Sequence, residues 1–256
     1  DREDRSVSAL PPTPVRLRRL DLRQAASDPA VAAARQALLR RGAVPDPSVR
    51  DAARAILADV RGRGDAAVRE ANERFGGAAA DRRLILEPGV LSAARDALPA
   101  DIRAGLEVMI EHIGRFAATQ LPATSRTTVA PGIEIERRWT PLRRIGAYVP
   151  GGSAAYPSSL VMCAVPARVA GVGELIVASP ADRDGRLSPI LLGAAGLLGV
   201  DAFVVAGGAQ AVGALAYGLP EAGLAPVDRI VGPGNAWVTA AKLEVFGEVG
   251  IDLPAG

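Results

Sequence analysis

Cysteine is all but missing from this chain of 256 residues. Cys163 stands alone, which excludes an internal disulfide framework and fits a reducing compartment, so a soluble cytoplasmic protein is expected. Histidine is as scarce: His112, between Glu111 and Ile113, is the only one. A catalytic zinc centre needs several His or Cys ligands and a base, so the sequence offers neither metal ligands nor a catalytic residue, and His112 is expected at a helix surface. Aromatic residues make up only 4%, so the core of a chain that is 49% apolar must be filled by Ala, Val, Leu and Ile. No uncharged apolar run reaches 18 residues, which excludes a membrane-spanning helix. Charge of one sign is lacking too. Thirty basic residues stand against 28 acidic ones, too small a surplus to argue for nucleic acid, and Arg16, Arg18 and Arg19 read as a solvated basic face. Residues 1–14 mix charge with Ser and Pro, contain no signal-peptide core, and are expected to be a disordered leader.

What is present divides into two halves. Residues 15–144 read as a helical arm followed by an incomplete first α/β domain. Asp46-Pro47 can start a helix with Ala53, Ile56, Leu57 and Val60 on one stripe, interrupted at Gly62 and Gly64. Asp65 can cap a second helix that runs to Phe75 and stops at Gly76-Gly77. Leu84-Ile-Leu86 is a short strand candidate. Asp101 opens a longer amphipathic helix carrying Ile102, Leu106, Met109, Ile110, Ile113 and Phe116. Over residues 126–140 the period changes to two, and Pro131-Gly132 between apolar alternations predicts a hairpin with Glu134, Glu136 and Arg138 facing water. Pro141 and Arg143-Arg144 read as a hinge-like approach to the second half.

Residues 145–256 alternate strand and helix, which predicts a Rossmann-like parallel sheet covered on both faces. Strands are expected at Ile145–Val149, Glu174–Ala178, Ala202–Ala206 and Asp228–Val231, with a possible fifth at Gly250–Leu253. Helices are expected at Pro157–Ala170, Leu187–Leu198, Gln210–Tyr217 and Asn235–Phe246. Right-handed crossovers place every strand-to-helix turn on the carboxyl edge of such a sheet, where ligands bind. Four turns should therefore converge on one rim: Tyr148-Val-Pro-Gly-Gly152, Ala178-Ser-Pro180, Ala206-Gly-Gly-Ala-Gln210 and Gly232-Pro-Gly-Asn235.

By motif alone a dinucleotide site is weakly marked. The G-x-G-x-x-G fingerprint is absent, with Trp237 where the third glycine belongs, and no acidic residue stands clearly at the end of the second strand to hold a ribose. Glycine turns can also be mere tight connections, Asn235 a simple N-cap, and Tyr148 a packed core residue. Cys163, inside Leu160-Val-Met-Cys-Ala-Val165, reads as a small buried thiol rather than a nucleophile, and Trp139 and Trp237 read as packing residues.

Several blocks in register add to this reading. Tyr148-Val-Pro-Gly-Gly-Ser153, Tyr156-Pro-Ser-Ser159, Gly207-Gly-Ala-Gln-Ala211, Gly232-Pro-Gly-Asn-Ala236 and Ile251-Asp-Leu-Pro-Ala-Gly256 resemble the histidinol dehydrogenase family, closely from about Ile145 and more loosely from about Leu17, including Arg137-Arg-Trp-Thr-Pro141. The resemblance implies NAD-dependent, zinc-containing oxidation of L-histidinol to L-histidine through the aldehyde, the last step of histidine biosynthesis. It carries NAD contacts onto Tyr148, Gln210 and Asn235, and it implies a homodimer with interlocked chains. It also implies that the family's signature continues past Gly256 into Pro-Ser-Glu. The substrate-contacting serine, the catalytic glutamate–histidine pair and the zinc ligands would all follow. This chain is accordingly expected to be the NAD-binding portion, inactive by itself, with an apolar face left uncovered. Two alternatives stay open: a dehydrogenase of another small polar alcohol in the same superfamily, and a non-catalytic nucleotide-binding remnant.

Overall fold

The computed structural model describes Asp21, Arg23, residues 26–39 (backbone alone for 37–39), 45–79, 81–151 and 156–253. The expected leader, Arg16, Arg18 and Arg19, Gly152 and Ser153, and the last three residues lie outside that set. The chain forms two compact units, residues 1–42 and 43–256. In the first, Asp28 caps helix α1 (Pro29–Leu39) by accepting from the Ala30 and Val31 amides.

The second unit is built on a six-stranded sheet. Its strands are β1 (Ile85–Leu86), β4 (Arg144–Tyr148), β5 (Glu174–Ser179), β6 (Ala202–Val205), β7 (Arg229–Val231) and β8 (Gly250–Ile251), in the order β1-β6-β5-β4-β7-β8. All neighbours pair in parallel except β1, which runs antiparallel to β6 at one edge. The five strands expected from the strand–helix alternation are thus present, the fifth over Gly250–Ile251 alone. The candidate at Leu84–Leu86 joins the same sheet, so the change of pattern at residue 145 is not a break in packing.

Period-two alternation sorts the strand side chains into two cores. Tyr148, Ile176, Ala178, Val204 and Ala206 face one side. It is covered by α2 (Pro47–Arg63), α3 (Asp65–Phe75), α8 (Gly208–Tyr217) and α9 (Ala236–Val245). Ile145, Ala147, Leu175, Val177, Phe203 and Val205 face the other. There α4 (Pro88–Asp96), α5 (Ala100–Ala118), α6 (Pro157–Val169) and α7 (Pro189–Leu197) pack. With few aromatics available, the layers close by bringing backbones together. A Cβ on Gly146 would stand 2.8 Å from Leu215, and one on Gly196 would overlap the Leu91 carbonyl.

Local expectations need several corrections. Helix α4 was not anticipated: Pro88 at its first turn starts a helix too short for a clear apolar period. Asp65 does not cap α3. Gly64 occupies the cap, and the buried Asp65 carboxylate instead accepts from the Glu221 and Ala222 amides at 3.2 and 3.0 Å. Arg144 is no hinge. Its guanidinium grips Glu174 at 2.6 and 3.0 Å and the Pro226 carbonyl, while its amide donates to Asp228, so β4 is clamped to both neighbours. Phe116, assigned to the buried stripe of α5, is 65% exposed.

The hairpin forms as β2 (Ser125–Ala130) and β3 (Ile133–Arg137), but its apolar side is exposed as well as its polar one: Val129, Ile133, Ile135 and Trp139 are all more than half exposed. No helix among the described residues is long and apolar enough to cross a membrane.

Candidate cofactor cleft

The carboxyl ends of β4, β5 and β6 and the turn after β7 open onto a cleft of about 900 Å³. Its walls come from the turns singled out in the sequence: Tyr148, Pro150 and Gly151; Pro180 to Asp184; Gly207 to Gln210; and Asn235 with Trp237. Phe75 at the end of α3, Gly76 and Gly77 just after it, and Ile56 of α2 complete it. Bare backbone lets these walls meet. A Cβ on Gly151 would stand 2.7 Å from Ser179 Oγ, and one on Gly207 2.9 Å from Pro180 Cβ.

Tyr148, Gln210 and Asn235 all line this one hollow. Tyr148 is buried at the end of β4, and burial raises its hydroxyl above the usual phenol range, against a smaller opposing effect of the Gly208 backbone amide. The hydroxyl is therefore neutral at physiological pH. Gln210 is buried in the first turn of α8, where Nε2 donates to Asn72 Oδ1 at 3.2 Å. The N-cap of α8 is Gly207, which has no side chain to satisfy the first-turn amides; that of Gly208 meets the Tyr148 hydroxyl, which leaves those of Ala209 and Gln210 to ligand oxygens. Asn235 does serve as an N-cap. Its Oδ1 accepts from Trp237 and Val238 at 3.1 and 3.2 Å, which turns Nδ2 away from the helix as a donor.

The turn that carries Asn235 is held from below. Lys242, only 1% exposed on α9, forms an ion pair with Asp252 and donates to the Gly232 and Leu253 carbonyls at 3.1 and 3.2 Å. Asp252 also accepts from the Gly232 amide at 2.7 Å. Gly232 sits at φ +108° directly against the Tyr148 carbonyl, where a Cβ would overlap it. One ion pair, buried at its Lys242 end, thus fixes the β7–α9 turn against the end of β4.

Three features of the cleft escaped the sequence. Asp182 and Asp184 stand on its wall beyond β5, displaced from the strand end by Pro180-Ala181; Asp182 Oδ1 accepts from the Asp184 and Arg186 amides and shapes that turn. Trp237, expected to be packing, is 39% exposed and lines the cleft. Asn72 comes from α3, far away in sequence, and no local pattern marks it.

Two expectations concern groups outside the cleft. His112 lies exposed on α5. Cys163 lies half-buried on α6, and burial, with the Asp252 carboxylate adding to it and Lys242 opposing, pushes its thiol up to about 11. It is thus protonated at pH 8, and alkylation by iodoacetamide is expected to be slow in the folded protein and fast after unfolding. Equal rates in both states would contradict this environment.

An open, mostly parallel sheet with helices on both faces and a glycine-lined cleft at its carboxyl edge is a doubly wound α/β architecture of the kind that binds ligands at that edge. Comparison with known proteins narrows the class. The family profile described as histidinol dehydrogenase matches residues 39–256, and the chain belongs to that family. A histidinol dehydrogenase from Leifsonia xyli subsp. xyli is 52% identical over 204 residues, covering 78% of this chain and 46% of the relative. Another from Bordetella parapertussis is 49% identical over 242 residues, covering 94% and 53%. The crystal structure of histidinol dehydrogenase from Elizabethkingia anophelis superposes with a TM-score of 0.77 at 28% identity, over 86% of this chain and 51% of that one. The chain spans about half the length of the curated relatives it matches.

Proposed function

We propose that this chain supplies the NAD-binding part of an enzyme that oxidises L-histidinol to L-histidine in the cytoplasm, as a homodimer when full length. The observation that carries the reading is the convergence of Tyr148, Gln210 and Asn235, from three separate strand-to-helix turns, on one cleft. The fit is chemical as well as spatial. The uncapped first turn of α8 suits ligand oxygens, the Asn235 amide donates, the neutral Tyr148 hydroxyl can donate, and the glycines leave room for a ligand against the backbone. When bound, NAD⁺ accepts hydride. The chain's own share is to hold the dinucleotide across the sheet edge and to shield it with Trp237 and Pro180.

Zinc has no such fit among the described residues. Among the described residues no group of three or more His, Cys, Asp or Glu side chains converges, so none of them is assigned to zinc and no step is derived through it.

Titration of NAD⁺ against point variants tests the reading. Asn235→Asp keeps the oxygen that caps α9 but exchanges the Nδ2 donor for a negative charge. Thermal stability is therefore expected to hold while NAD⁺ binds roughly tenfold more weakly, the loss of one charge-sensitive hydrogen bond. Tyr148→Phe and Gln210→Ala are each expected to weaken binding as well. Unaltered affinity in all three variants would remove the assignment.

A further inference from the structure

A chain of one-way hydrogen bonds behind the cleft fixes how Gln210 faces it. The Val205 carbonyl at the end of β6 can only accept. Asn72 must therefore turn Nδ2 towards it, and the two lie 2.9 Å apart. That leaves Asn72 Oδ1, also an acceptor, facing Gln210, which must answer with its only donor, Nε2, at 3.2 Å. Both side chains are 2% exposed, so neither amide is free to flip into water. The remaining Gln210 atom, Oε1, lies on the Gly208 side, 3.0 Å from where a Cβ on that glycine would stand. It has no partner among the described residues, yet it is not sealed in: Ser179 Oγ is the one buried side-chain atom among them without a partner. Gln210 itself lines the cleft.

We infer that Asn72 is a positioning residue that holds the Gln210 carbonyl oxygen towards the cleft, making this point a subsite for a hydrogen-bond donor of the bound dinucleotide, a carboxamide NH₂ or a hydroxyl, and closing it to phosphate oxygens. The inference rests on the reading of the cleft as an NAD site. It gives the two amides opposite duties: Gln210 accepts, whereas Asn235, whose oxygen is held by α9, donates. A phosphate placed at Gln210 would set oxygen against oxygen in a buried pocket, an arrangement left without a hydrogen bond.

The test is NAD⁺ titration of the purified chain by calorimetry, with thermal midpoints measured in parallel. Asn72→Leu removes both bonds, and Asn72→Asp removes the bond to Val205 but keeps an acceptor for Gln210 Nε2. Both are expected to melt earlier, but NAD⁺ should bind about tenfold more weakly to Asn72→Leu and within about twofold of wild type to Asn72→Asp. Equal losses in the two would mean that Asn72 serves the fold alone and would overturn the inference. If neither variant folds, Gln210→Glu decides: it leaves Asn72 on Val205 but has no N–H for Oδ1, so about tenfold weaker binding is expected and unchanged binding contradicts. Two ligands separate the donor sources. If the carboxamide is the donor, the acetylpyridine analogue of NAD⁺ loses its sensitivity to Asn72→Leu. If a hydroxyl is, ADP-ribose keeps it. Insensitivity of NAD⁺ itself to Gln210→Ala would defeat the cofactor site as a whole. Sensitivity to Gln210→Ala without sensitivity to Asn72→Leu would defeat only the role of Asn72.

Discussion

Asp252→Ala is expected to destabilise the folded chain by about 3–5 kcal/mol, the usual loss when a buried charge, here that of Lys242, is left without its counter-ion. Lys242 is 1% exposed and would keep only the Gly232 and Leu253 carbonyls around its ammonium group. The Gly232 amide would lose its acceptor at the same time. For a chain of this size the shift in thermal midpoint should be on the order of 10 °C. Lys242→Met is expected to do less damage, because the Asp252 side chain left behind is 34% exposed and can be solvated. Thermal unfolding of the two variants checks the ranking. A larger loss in Lys242→Met would show that the hydrogen bonds of the ammonium group to the Gly232 and Leu253 carbonyls, rather than the unpaired charge left by Asp252→Ala, carry the contact.

Gly232→Ala is the second severe change, and it reaches the cleft directly. The residue holds φ at +108°, which a side chain rarely adopts, and its new Cβ would overlap the Tyr148 carbonyl. Backbone strain of about 1–3 kcal/mol and overpacking of similar size should add to roughly 2–6 kcal/mol. Gly247 provides the control: its φ is +105° but nothing lies within 4 Å of a Cβ there. Gly247→Ala should therefore show the strain alone. Since Gly232 sets both the end of β4 and the turn to Asn235, its substitution is also expected to weaken NAD⁺ binding more than Asn235→Asp does. Calorimetric titration beside thermal melts would reveal it, and comparable melting of the two glycine variants would refute the contact.

What could be read in the sequence was what is local. Apolar runs closed by Gly-Gly, Gly-Pro-Gly or Ser-Pro located β4 to β7 to within a residue, since strand, turn and following helix are neighbours in the chain. The same locality brought Tyr148, Gln210 and Asn235 to one sheet edge, because right-handed crossovers leave such turns no other place.

Contacts made at long range were invisible. Asn72 meets Gln210 across 138 residues, and Asp65 caps a turn at Glu221 and Ala222 rather than its own helix. β1 is two residues long and shows no alternation, so its place at the sheet edge follows only from pairing with β6. Asp182 and Asp184 were missed for a subtler reason: Pro180-Ala181 carries the acidic pair past the strand end, where a ribose-binding carboxylate is usually sought.

The central claim, that one sheet edge holds the dinucleotide, is tested most directly by the structure of the chain crystallised with NAD⁺. The account predicts the cofactor lying across the ends of β4, β5 and β6, within hydrogen-bonding reach of Tyr148, Gln210 and Asn235 together. A cofactor bound elsewhere, touching none of the three, would contradict it.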